Sequence, residues 1–371
     1  MRKIVSLPGR FGNPEFDLST DPRSDPRMVK ALAAHGLDSL AAPPPVSSKD
    51  PLEERLKFLA TAEAGLEALN ASLMEDLPPV SGIQQSIETI RGVDSNDIVL
   101  YIHRPKVKSS NALPGILHFH GGGMAMLSTS GPMYSRWRDE LAATGMVVIG
   151  VEFRNAAGVL GPHPFPAGLN DCTTALEWTH ANRESLGLSK LILAGESGGA
   201  NLALATTIKA KREGRLDAID GVYALVPYIS GAYDWNYEDM AAEFPSLLEN
   251  DGYFVNNLMN KVAASVYDPD GLNANNPLCW PYWATYHDLT GLPPHVITVN
   301  ELDLYRDEGL GYYRKLAQAG VNVTGRNIIG VCHAAELMFR KAMPDMYLST
   351  IYDVNAFAKR INRKAGESVA T

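Results

Sequence analysis

Hydrophobic and polar positions fall into two regimes along this chain. From about residue 82 onward, short apolar runs alternate with stretches of helical periodicity. The runs cover 98–103, 115–120, 146–153, 191–194, 221–226, 295–300 and 323–329, and helix-like patterns fill 134–144, 168–185, 201–212 and 307–319. Near-continuous apolar strands separated by helices predict an α/β fold with a mostly parallel central sheet covered on both faces. Before residue 82 the pattern is different. Residues 1–46 are rich in Pro, Asp and Ser and read as irregular chain with one short helix near 28–35. Asp50 then reads as an N-cap with Pro51 at the first helical position, and Leu52, Leu56, Leu59, Leu66, Leu69 and Leu73 follow at helical spacing.

A second departure lies between 226 and 295, where the alternation stops and aromatic residues crowd together: Tyr228, Tyr233, Trp235, Tyr237, Phe244, Tyr253, Phe254, Trp280, Tyr282, Trp283 and Tyr286. An insertion at the carboxyl end of a sheet strand sits where open α/β sheets bind ligands. The expected organisation is therefore an N-terminal helical cap segment at 1–80 and a catalytic domain at 81–371, with a cap insertion at about 228–290. The aromatic content predicts a mainly apolar pocket beneath the cap.

Composition narrows the partners. A chain of 371 residues with 45% hydrophobic content can hold one large domain and a lid. The formal net charge of −9, without a long basic run, argues against nucleic acid and anionic membranes as partners. The opening MRKIVSLPGRFGNPEF has no apolar stretch before Pro8, so no secretory signal is read there, and no apolar run approaches a membrane span. Cys172, Cys279 and Cys332 are odd in number and show no C-x-x-C spacing, which predicts a reducing, cytoplasmic setting.

The chemistry is concentrated in two glycine-rich turns. Gly195-Glu196-Ser197-Gly198-Gly199 follows the apolar run 191–194 and precedes a helical pattern, so Ser197 falls at the apex of a strand–turn–helix unit. That is the arrangement of a nucleophile elbow. His118-Phe119-His120-Gly121-Gly122-Gly123 closes another strand, and consecutive glycines leave backbone N–H groups free to face developing negative charge. A dinucleotide loop does not fit this spacing. Metal binding by His118 and His120 lacks a third ligand at usable spacing, so neither a metal nor an organic cofactor is expected. An acyl-transfer serine needs a base and an acid that orients it. Only His287, His295 and His333 follow Ser197 by a useful margin; His287 falls in the insertion and His295 opens a strand at the wrong end, leaving His333. Asp303, just past the run 295–300, is the preferred acid with Asp307 in reserve. Glu301 stands earlier at the strand tip, and Asp307 and Glu308 also suit the first turn of a helix.

Together, the HGGG run, the GESGG elbow and NELDLYRDEG before a final histidine resemble the hormone-sensitive-lipase group of α/β-hydrolase carboxylesterases. Further matching segments are FRNA at 153, HPFPAG at 163, RESLGLS at 183, GRLDAIDGVYA at 214 and ENDGYF at 249, so the resemblance spans about 100–340. It implies an α/β-hydrolase fold with Ser197 as nucleophile, His333 as base, Asp303 as orienting acid, and an oxyanion hole from the N–H groups of Gly122, Gly123 and Gly198. Two positions depart from the group's pattern. Leu304-Tyr305 stands where Pro-Leu is common, and Ala334-Ala335 stands where many members have Gly-Phe.

The expected activity is hydrolysis of short- to medium-chain carboxylic esters, with lactones and amides open to the same machinery. The rival reading is a non-catalytic small-ligand-binding protein on a hydrolase scaffold. A small-molecule ester is the expected partner, and the free edge of the sheet would admit an antiparallel homodimer.

Overall fold

The computed structural model describes residues 9–107 and 111–361. The first eight residues, on which the reading of the N-terminus partly rests, lie outside the described residues. Eight strands form one sheet: β1 (Ile83–Arg91), β2 (Asp97–Pro105), β3 (Leu113–Phe119), β4 (Val147–Glu152), β5 (Leu188–Glu196), β6 (Gly221–Leu225), β7 (His295–Asn300) and β8 (Val323–Ile328). Their order is β1-β2-β4-β3-β5-β6-β7-β8; β1 and β2 run antiparallel to their neighbours and the remainder are parallel. This is the sheet of the α/β-hydrolase fold, as expected.

The central strands bury almost every side chain, which explains their unbroken apolar sequences. β1 was not predicted. Its sequence IQQSIETIR is mostly exposed at the sheet edge, so it carries no buried-strand signature. The opposite edge, β8, is also half polar.

The helices are α1 (Pro26–Ala33), α2 (Leu52–Met74), α3 (Pro132–Ala143), α4 (Ala167–Ala181), α5 (Gly198–Arg212), α6 (Tyr237–Glu243), α7 (Ser246–Glu249), α8 (Asn257–Tyr267), α9 (Tyr286–Leu289), α10 (Arg306–Gln318), α11 (Ala335–Met338) and α12 (Pro344–Ile361). The pair α3 and α12 packs on the sheet as one group, and α4 and α5 pack as another. α5 buries nearly its whole length, which requires its run of Ala, Leu and Thr. α2 differs from expectation at its start: Pro51 is the cap and no side chain bonds the first turn. Asp50 instead accepts the N–H of Ser47 at 2.7 Å.

α2 and α8 pack against each other beyond the carboxyl ends of the strands. The aromatic residues of the insertion largely pack among themselves rather than on a pocket. Tyr228 and Tyr233 stack at 4.5 Å, and Trp280 meets Tyr228, Tyr233 and Tyr267 edge-on. All three cysteines are buried and unpaired. No helix among the described residues is long and apolar enough to cross a membrane.

Candidate active site

Ser197 joins β5 to α5 with φ 56° and ψ −121°, a conformation that side chains resist. The turn is held from both sides. Its N–H donates to the Leu225 carbonyl at 2.9 Å, and its carbonyl accepts from Asn201 at 3.1 Å. A Cβ at Gly199 would lie 2.0 Å from the Phe119 carbonyl oxygen, so helix α5 can approach β3 this closely only with glycine there.

The glycine loop after β3 faces this elbow. Gly122 has φ +99°, and a Cβ there would meet the Met126 carbonyl oxygen at 2.1 Å. Gly198 packs on Gly123 so tightly that a Cβ would come within 2.8 Å of the Gly123 nitrogen. The two turns expected to supply N–H donors are thus in backbone contact. Glu196 locks them: its carboxylate accepts the Gly121 N–H and the His118 imidazole N–H, the latter at 3.0 Å. His118 therefore serves as a partner of a buried carboxylate. His120 stacks on Phe153 at 4.2 Å and donates from Nδ1 to the Gly121 carbonyl at 2.8 Å. Its complete burial pushes its pKa down to about 3, so it is a neutral donor fixing the loop.

His333 lies in the loop between β8 and α11. Its Nδ1 is 2.8 Å from Oδ2 of Asp303, which is fully buried after β7. Asp303 Oδ1 accepts the Tyr305 N–H at 3.1 Å, and the Tyr305 ring meets the imidazole edge-on at 4.7 Å. The loop itself is tied down by Asn300, whose amide donates to the Cys332 carbonyl at 2.7 Å and to Glu336 at 2.7 Å. Burial raises Glu336 to about 7, and the nearby Asp303 charge adds to that rise. Met28 of α1 supports the loop from below through a Cys332 N–H contact to its sulfur. Burial raises the Cys332 thiol well above its usual value, which makes it a packed bystander.

Ser197, His333, Gly122 and Gly123 line one cavity of about 280 Å³. Ala62, Leu66 and Asn70 of α2 and Met259, Asn260 and Ala263 of α8 form its roof. The walls are mainly aliphatic. Of the insertion's aromatics, only Tyr228 and Phe254 reach it. The other candidates lie elsewhere. His287 is exposed; His295 is buried at the start of β7 against the Pro293 carbonyl, its pKa pushed down to about 4. Asp307 accepts the Ser246 N–H, and Glu301 pairs with Arg23 and Arg306.

A family model described as an alpha/beta hydrolase fold matches residues 116–337. The structure titled brefeldin A esterase, a bacterial homologue of human hormone sensitive lipase, is 49% identical and superposes with a TM-score of 0.93, covering 97% of this chain and 99% of that one. This chain belongs to the hormone-sensitive-lipase-type α/β-hydrolase carboxylesterases. Esterase Est22 is also similar, at 35% identity and a TM-score of 0.80 over 93% of this chain and 99% of that one. Carboxylesterase NlhH of Mycobacterium tuberculosis is 30% identical over 275 residues, which is 71% of this chain and 80% of that protein.

Membership in this carboxylesterase family makes the chain a carboxylic ester hydrolase and leaves the non-catalytic alternative unsupported. Three residues in and around the site have roles that the sequence reading did not assign. Glu308 is not a helix-dipole residue on the surface; it is fully buried, and its carboxylate accepts the N–H groups of Ile229 and Ser230, each at 2.6 Å, and the Tyr233 hydroxyl. It anchors the start of the insertion to α10. Asn260 and Asn70 reach the cavity from helices whose apolar periodicity gave no hint of a polar wall. A distinguishing signal for them exists only in three dimensions.

Proposed function

We propose that this carboxylesterase hydrolyses short- to medium-chain esters through an acyl-enzyme on Ser197. His333 takes the proton from the serine hydroxyl as it attacks the ester carbonyl, and Asp303 holds the imidazole in the tautomer that can accept it. The N–H groups of Gly122, Gly123 and Gly198 receive the tetrahedral oxyanion. His333 then protonates the leaving alcohol, and afterwards activates the water that releases the acid. The reading is carried by one observation: a serine in strained elbow geometry shares a cavity with a histidine bonded to a buried carboxylate.

In this reading, residues 1–80 and about 228–290 act as the cap over a catalytic domain formed by the rest of 81–371. The cavity volume and aliphatic walls support modest acyl groups over long lipid chains. Lactones fit the same chemistry, since a ring-opening attack leaves both products on one chain. The enzyme acts in the cytoplasm, consistent with its buried free thiols, and the exposed strand β8 is the edge on which a homodimer would form.

The test is hydrolysis of p-nitrophenyl esters from acetate to palmitate, with and without a serine-directed organophosphate, followed by mass mapping. Turnover peaking at short or medium chains, abolished by a label on the Ser197 peptide, is the expected result. Turnover that survives Ser197→Ala would overturn it.

A further inference from the structure

The roof of the cavity carries two carboxamides whose amide nitrogens have no partner among the described residues. Asn260 is 4% exposed and lines the cavity; its Oδ1 accepts the Tyr305 hydroxyl at 2.6 Å, yet its Nδ2 has no hydrogen-bond partner among the described residues. Asn70 on the neighbouring helix α2 also lines the cavity, is 7% exposed, and its side chain bonds to no described residue. A third asparagine, Asn256, shows what satisfied geometry looks like here. Its oxygen caps the Met259 N–H and its amide donates to the Ala42 carbonyl.

An amide donor without an acceptor forgoes its hydrogen bond, and hydrocarbon packed beside it gives nothing back. A plain alkyl chain under this roof would leave Asn260 and Asn70 in that state. A chain with an acceptor oxygen at the right place would not. A site that offers buried hydrogen-bond groups discriminates against analogues lacking the matching atom far more strongly than an apolar slot discriminates between chain lengths. Asn260 is also fixed in place: Tyr305, which holds its oxygen, packs edge-on to His333, and Tyr228 donates to the Asn260 carbonyl at 3.2 Å. The free Nδ2 is therefore held at a set place relative to the reacting centre.

We infer that the preferred substrates are oxygenated esters, whose acyl or alcohol arm carries an ether, keto or hydroxyl oxygen that accepts a hydrogen bond from Asn260 and Asn70. This rests on the esterase mechanism proposed above and adds a specificity-determining pair to it. Tyr305 becomes a positioning residue for Asn260.

The experiment compares isosteres on one enzyme. The acyl arm uses p-nitrophenyl hexanoate against the esters in which each chain methylene in turn is replaced by oxygen. The alcohol arm uses hexyl butyrate against butyrates of the matching alkoxy alcohols. Each kcat/KM is divided by the ester's alkaline hydrolysis rate, which removes intrinsic reactivity. The expected result is that wild type favours at least one oxygen position by about tenfold, and that Asn260→Leu brings the ratio to about one. Asn70→Leu, which breaks no internal hydrogen bond, lowers the same ratio without depending on the Tyr305 contact. The arm that shows the preference identifies which half of the ester lies under the roof. Hydrolysis of hexanoate with a ratio of one at every position, or a ratio unmoved in both variants, overturns this inference alone. Failure to hydrolyse any ester overturns the mechanism beneath it as well.

Discussion

The floor and the roof of the cavity are built from different materials. The floor is backbone. Gly199 sits on the Phe119 carbonyl, Gly198 on the Gly123 nitrogen and Gly122 on the Met126 carbonyl, at separations that exclude a single methyl group. Glu196 and His118 lie beneath it as a closed, buried pair. The roof is side chains from two helices distant in sequence, mostly Ala, Leu and Met, with the Asn260 amide nitrogen left unpaired and Asn70 beside it. Chemistry common to all esters requires N–H groups at fixed positions, which backbone packing provides; selectivity needs surfaces that can vary without disturbing them. The division of labour follows from how tightly each half is packed.

The sharpest test of the chemistry placed on the floor is the proposed orienting acid, Asp303. Asp303→Asn keeps the shape but offers an amide where the imidazole needs a carboxylate, so kcat should fall by about 10⁴ while the fold is kept. Steady-state kinetics beside a melting curve checks both halves of that statement. Next in size is Gly199→Ala. With its Cβ 2.0 Å from a carbonyl oxygen, the elbow must open, and destabilisation of about 3 kcal/mol or more is expected. Denaturant unfolding measures it; a cost under about 1 kcal/mol would show that the floor yields as readily as the roof.

A smaller effect concerns the joint between the two halves. Glu308 holds the first turn of the insertion, and its burial lifts its pKa to about 8. In the unfolded chain it titrates near 4.3. The folded protein therefore keeps a proton that the unfolded chain has released, and the stability tied to that proton is fully present below the unfolded value and is lost as pH rises toward 8. Melting temperatures should fall by a few degrees more between pH 5 and pH 8 in wild type than in Glu308→Gln, whose neutral amide keeps an acceptor for Ile229 and Ser230 without titrating. Parallel slopes for the two proteins would contradict the assignment.

The glycine turns of the floor stand out in the sequence and α2 was expected within a cap segment, but the polar groups of the roof were not anticipated. Backbone packing leaves glycines at fixed spacings, so the turns at 121–123 and 195–199 announce themselves, and the order Ser197, Asp303, His333 is the one that the family resemblance implies. β1 was invisible because an exposed edge strand has no buried face to write into its sequence. Glu308 looked like a helix-dipole residue because position in the first turn says nothing about what packs above it. The aromatic insertion was expected to line the pocket, yet Tyr233, Trp280 and Tyr267 form its own core. Asn70 and Asn260 are defined by missing partners, and a missing partner leaves no mark in a linear pattern.

The smallest effect falls on the seam where floor and roof meet, beside the histidine. Ala334 has φ 54° and ψ 20°, the left-handed region that costs an alanine about 1 kcal/mol. Ala334→Gly relieves that strain but gives the unfolded chain more freedom, which offsets about 0.4–1 kcal/mol. Net stabilisation should therefore be no more than about 0.5 kcal/mol, read as a small rise in the denaturant midpoint at unchanged slope. Ala334 also lines the cavity, so losing its methyl slightly enlarges the space next to His333. Acyl-chain preference should move toward longer chains before stability moves at all. If stability instead changed by several kcal/mol, this seam would belong with the floor, packed by backbone contacts as strict as those at Gly199.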